Sequence, residues 1–163
     1  MQIDRILVAN DSYNGLERAL SKVALIEHIT GASVEVATVV YDSVDEQPIP
    51  EHEKARLIEA FMAAERAGFV GILKPFEDKI AWADPRVLWG KRAETAIIKE
   101  AGLRKVDLIV KPMAESAGIS DLLHTPLDWR LIRSSPVPVL MSKSEGWKKG
   151  DDVLVAVDAS DKK

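Results

Sequence analysis

An α/β fold is predicted, a five-stranded parallel sheet with helices on both faces, and three features of the chain carry it. Short apolar runs such as Ile6-Leu7-Val8-Ala9 and Leu108-Ile109-Val110 are continuous instead of alternating, as strands buried on both faces are. Between them lie segments whose apolar residues recur every three or four positions, the spacing of a helix with one buried face. The two kinds of segment alternate along the chain, and that order closes into a parallel, Rossmann-like sheet through right-handed crossovers.

The first strand runs to Asn10, and Asn10-Asp11-Ser12 follows as a turn and capping cluster. Leu16, Ala19, Leu20, Val23, Ala24 and Ile26 then trace a helix that Gly31 ends. Residues 33–41, rich in valine, suit a second buried strand, and residues 42–50 form a polar loop. Pro50 fits a first helical turn, where a missing N–H loses nothing, and Leu57, Ile58, Phe61, Ala64 and Phe69 continue an apolar stripe beyond it. Gly68, Gly71 and Pro75 weaken that helix, so the stretch to Trp82 is either one kinked helix or two. Arg86-Val87-Leu88-Trp89 is a short third strand, residues 93–101 a helix closed by Gly102, and Asp107-Leu108-Ile109-Val110-Lys111 a fourth strand. Thr125-Pro126-Leu127-Asp128 is composed as a helix start, with Thr as N-cap, Pro at the first position and Asp at the third. Val137-Pro138-Val139-Leu140-Met141 is the last strand. Pro138 cannot donate to a ladder, which marks one side of that strand as a sheet edge or a specialised pairing site.

The end of the chain repeats its beginning. Asp4-Arg5-Ile6-Leu7-Val8-Ala9-Asn10-Asp11 returns as Asp151-Asp152-Val153-Leu154-Val155-Ala156-Val157-Asp158, with the opening Asp, the Leu-Val-Ala core and the closing Asp in register. The chain therefore divides into one unit over residues 1–143, a linker over 144–151, and the first strand of a truncated second like unit over 152–163. A buried-type strand without its own sheet must pair with a neighbour, stay disordered or be shielded by another copy.

Composition narrows the function. With 47% hydrophobic and 29% charged residues, the 163-residue chain is an ordinary globular sequence, large enough for one full core. A net charge of -4, with adjacent basic residues only in short pairs such as Lys91-Arg92, argues against nucleic acid as a partner. The absence of cysteine excludes thiol nucleophiles, disulfides and cysteine-ligated zinc, and fits a reducing compartment. No apolar run reaches the length of a membrane span, and no basic, apolar, small-residue export signal leads the first strand, so no membrane is expected and the cytoplasm is the expected location. His28, His52 and His124 lie in three separate segments with no metal-ligating spacing. No nucleophile elbow accompanies Ser134 or Ser135, and no glycine-rich dinucleotide fingerprint follows the first strand.

In a parallel α/β sheet, ligands sit at the carboxyl ends of the strands, here Asn10-Asp11-Ser12, Val40-Tyr41 and residues 112–125. The order of elements, the opening Ile6-Leu7-Val8-Ala9-Asn10-Asp11, and Asp107-Leu108-Ile109-Val110 followed by Ser135-Pro136-Val137-Pro138-Val139-Leu140 resemble the universal stress protein family. Val110-Lys111, Thr125-Pro126-Leu127-Asp128-Trp129 and Trp147 before the second opening strand resemble its tandem-domain branch.

Nucleotide-binding members of that family carry a phosphate loop of Gly, two residues, Gly, nine residues, then Gly-Ser or Gly-Thr. Its four motif positions fall here on Pro112, Glu115, Thr125 and Pro126, and none matches. Two prolines remove backbone donors and Glu115 adds a repelling carboxylate, so triphosphate binding in the family's manner is expected to be disabled. Two positions keep the family's residues: Asp11 at the end of the first strand, and Val39, which the resemblance assigns to the adenine pocket. Each also has a plain reading, Asp11 as a helix cap and Val39 as core.

The candidate ligand-binding residues are thus Asp11, Val39 and Thr125, with no catalytic residue, no metal and no resident cofactor expected. The resemblance implies a non-enzymatic stress-response protein acting through domain pairing or homodimerisation by its last strand. The alternative is a module for an adenine nucleotide or another small ligand that dispenses with the glycine loop.

Overall fold

A computed structural model describes residues 2–10, 15–81, 85–113, 126–142 and 147. Among these, five strands alternate with four helices: β1 (Arg5–Asn10), α1 (Leu16–Thr30), β2 (Ser33–Val40), α2 (Glu51–Leu73), β3 (Arg86–Trp89), α3 (Ala93–Arg104), β4 (Leu108–Pro112), α4 (Pro126–Ser134) and β5 (Val139–Ser142). The strands are parallel and ordered β3-β2-β1-β4-β5, so β1 and β4 sit side by side at the centre, where the winding direction reverses.

The continuous apolar runs are explained by two cores, one on each side of the sheet. Ile6 and Val8 of β1 pack with Leu16, Leu20, Val23, Phe69 and Leu73 of α1 and α2, whereas Leu7 and Ala9 pack with Ile97, Ala101 and Leu131 of α3 and α4. All four of these β1 residues are fully buried. Burying a side chain of this size is worth about 1.5–3 kcal/mol, which fixes β1 as the axis of the unit.

Gly31 ends α1 as expected, taking φ 71° and donating its N–H to the Glu27 carbonyl. Within the polar loop, Ser43–Glu46 forms a short 3₁₀ turn, its start capped by Asp42 through the Val44 N–H. The α2 segment is a single 23-residue helix through Gly68 and Gly71, followed by a 3₁₀ turn at Lys74–Phe76 that contains Pro75. Its expected stripe is buried only at the carboxyl end, at Phe69 and Leu73, while Leu57 is 51% exposed.

The predicted end of α3 requires correction. Gly102 lies inside the helix, which continues to Arg104, and Lys105 instead takes the left-handed conformation, with φ 54°. The extra turn brings the Val106 N–H to the Ala101 carbonyl and buries Val106 beside Ile109, which outweighs the preference for glycine at the turn. Strands β4 and β5 each end one residue later than predicted. Pro138 precedes β5 and its carbonyl accepts from the Ile109 N–H, while β5 occupies the sheet edge that the proline marks.

Candidate functional site

Helices in this fold run antiparallel to the strands, so the amino ends of α3 and α4 face the carboxyl edge of the sheet, where a ligand would sit. Asn10 closes β1 there, 1% exposed, with Nδ2 3.4 Å from Thr38 Oγ1 and Oδ1 without a hydrogen-bond partner among the described residues. Val39, one residue before the end of β2, is packed in the α3/α4 core and aligned with Leu88 of β3. Asp11 and Thr125, with Glu115 and most of the 112–125 loop, lie outside the described residues.

Beneath the loop's anchor points lies a buried polar group that the sequence reading passed over. Lys111 in β4 is 4% exposed, with Nζ donating to the Pro112 carbonyl at 2.8 Å and 3.9 Å from Asp128 Oδ1 in the first turn of α4. Glu94, in the first turn of α3, accepts from Arg92 Nε at 2.8 Å and lies 3.5 Å from Arg130 Nη1. Burial pushes the Glu94 carboxyl up, but the Arg92 hydrogen bond, its own backbone N–H and the charges of Arg92 and Arg130 outweigh burial and hold it below the usual range. A lysine ending the run Ile109-Val110-Lys111 was the available signal, because a charge at a core position demands a buried partner.

The two helix starts that would favour an anion therefore already carry carboxylates of the protein itself. Two carboxylates, Glu94 and Asp128, thus stand beside three cations, Arg92, Lys111 and Arg130. Lys111 and Arg130 are already engaged by those same carboxylates.

At the β2–β3 end a second group pins the 3₁₀ turn. Trp89 Nε1 donates to Asp45 Oδ2 at 2.7 Å, Tyr41 Oη donates to Glu46 Oε1 at 2.9 Å, and Lys91 pairs with Glu46. Phe61 packs edge-on to Trp89 and Tyr41 lies 5.7 Å from it, both measured between ring centres. The Lys91 hydrogen bond, ahead of that from Tyr41, holds the Glu46 carboxyl below its ordinary range. Among the described residues, no group of His, Asp or Glu is placed to hold a metal ion, and no helix is long and apolar enough to cross a membrane. His28 and His52 are exposed on different helices.

The signature of the universal stress protein family matches residues 2–143. The chain belongs to the universal stress protein family. Among curated relatives, a universal stress protein E homolog of Haemophilus influenzae is 26% identical over 98% of this chain and 54% of its own length. The chain thus spans about half the length of the curated relatives it matches over nearly its whole extent. A universal stress protein solved in complex with cAMP superposes with a TM-score of 0.60 at 18% identity, covering 89% of this chain and all of that one. A universal stress protein of Archaeoglobus fulgidus superposes with a TM-score of 0.56 at 21% identity, covering 87% of this chain and 46% of that one. Both likenesses are of fold.

Proposed function

We propose that this universal stress protein unit is a non-enzymatic, cytoplasmic stress-response module that works by pairing with a like unit through the outer edge of β5. The observation that carries this reading is the outer side of that strand, which has no partner strand among the described residues. The Pro138 and Ser142 carbonyls accept from Ile109 of β4 and from Met113 just beyond it, so the N–H and C=O groups of Val139 and Met141, one residue out of phase, face away from β4. Such an edge is a template for another strand, and a like unit is its natural complement. The relatives of twice this length and the restart at Asp151 support a like unit as the neighbour. Size-exclusion chromatography with light scattering tests the pairing: a two-unit mass is expected, and a strict monomer at high protein concentration contradicts it.

The runner-up is a small-ligand module, with an adenine nucleotide as ligand. It is favoured by the buried, unpartnered Asn10 Oδ1 at the ligand edge and by the cAMP complex of a structural neighbour. Titration calorimetry with cAMP, AMP and ATP separates the readings. Flat heats are expected for ATP, because Pro112, Glu115, Thr125 and Pro126 replace the glycine positions of the family's phosphate loop, and saturable heat with any of the three supports the runner-up.

A further inference from the structure

One lysine of α1 is out of place. Leu16, Ala19, Leu20, Lys22 and Val23 are the buried residues of that helix, and Lys22, only 4% exposed, is the charged member of the set. A lysine is almost never buried to this extent unless something engages its ammonium. Here Nζ stands 5.7 Å from the centre of the Trp147 ring, within the range of a cation–π contact. Such a contact is strong where the ammonium has lost its water and weak where it has not, and Lys22 is of the first kind.

Trp147 comes five residues after β5 ends at Ser142, and it is itself half-buried. On the side of the sheet that holds Ile6 and Val8, α1 packs over β4 and β5, so the indole is held against the helix that covers the last strand.

We propose that the Lys22–Trp147 contact is an anchor that ties the chain following this unit to α1 and so fixes where the second opening strand begins. Chain reach gives the consequence. Asp151, where the restart begins, is four residues past Trp147, and four extended residues span at most about 14 Å. Counted from the end of β5 instead, the nine residues to Asp151 span up to about 32 Å. The anchor thus confines the start of the second strand to about a tenth of the volume otherwise open to it, on the α1 side of the sheet. A unit joined there begins from a set position, and its effective concentration at this unit rises by the same factor. The contact itself is independent of whether two units pair, and only its use in presenting a second unit rests on the pairing reading.

Pulsed electron–electron distance measurement on the whole chain tests this, because the chain has no cysteine and two introduced ones can carry spin labels. The label positions are His28→Cys, exposed near the end of α1, and Asp151→Cys, and dilution with unlabelled protein removes distances between copies. One narrow distance is expected in this parent. Lys22→Gln and Trp147→Leu are each expected to broaden it toward longer separations, and Trp147→Phe, which keeps a ring face for the ammonium, to retain most of the narrow population. Trypsin cleavage after Lys148 or Lys149, read by mass spectrometry, is expected to accelerate at least about tenfold in Lys22→Gln and Trp147→Leu. A broad distribution in the parent, or a narrow one and a cleavage rate unchanged in both variants, overturns the anchor. Trp147 lies outside every helix and strand of the unit, so Trp147→Leu keeps the test decisive should Lys22→Gln fail to fold. A narrow distance in a protein that light scattering finds monomeric would keep the anchor and remove the pairing, so the two readings fail separately.

Discussion

Gly15 is held by two constraints at once. Its φ is 78°, and a Cβ added there would stand 2.3 Å from the Met113 carbonyl oxygen, so the start of α1 closes directly onto the end of β4. Gly15→Ala is expected to destabilise the unit by about 2–4 kcal/mol in urea denaturation, from left-handed strain plus overpacking. Gly68 and Gly71 are exposed inside α2 with open space at the Cβ position, and alanine at each is expected to stabilise by about 0.5–1 kcal/mol in the same assay. No local pattern separates Gly15 from the other two, because the contact that fixes it is made 98 residues away along the chain. Glu94 makes a pH-dependent contribution. Its folded pKa lies below the ordinary value of 4.5, so its stabilisation is present above that value and is lost as the pH falls through the folded pKa. Glu94→Gln is therefore expected to flatten the acid limb of a stability-versus-pH curve below about pH 4.5 relative to the wild type. An acid limb unchanged in the variant would count against the Arg92–Glu94–Arg130 contact.

At the level of elements, buried strands were the most legible part of the chain and helix ends the least. Strands β1 and β4 announce themselves because burial on both faces forces continuous apolar runs. Where α3 stops depends instead on Val106 reaching the core, a tertiary effect that overrode the signal of Gly102. The α2 stripe misled for the same kind of reason: its spacing is helical, but only Phe69 and Leu73 of the helix are buried, and Phe61 meets the sheet at Trp89 while staying half-buried. The Lys111–Asp128 pair joins β4 to α4, and it was half legible, as a charge in an apolar run whose partner lies in another element. Asp128→Ala, which removes the carboxylate facing the buried ammonium, is expected to cost about 3 kcal/mol, and adding Lys111→Met to recover most of that. A thermodynamic cycle over the two single variants and the double checks this, and additive effects would mean that the two side chains act separately.

The whole molecule joins a buried central axis to an outer strand with one side unpaired among the described residues. The Glu35–Arg104–Glu100–Arg86 network ties α3 to β2 and β3 at the amino ends of those strands, whereas the carboxyl ends hold the ion-paired helix starts, and β5 has no outer neighbour among the described residues. Of the candidate site, the sequence made legible its location and the loss of the glycine cradle. It did not reveal the pairing of Glu94 and Asp128 with Arg130 and Lys111, since that follows from how two helices and a strand converge. The claim that the open edge is a pairing site is tested most directly by amide hydrogen exchange at Val139 and Met141 over a range of protein concentration. Their outward N–H groups are expected to become protected as concentration rises, in step with the two-unit mass, while β1 amides stay protected throughout. Fast exchange at both positions, unchanged from dilute to concentrated protein, would contradict it.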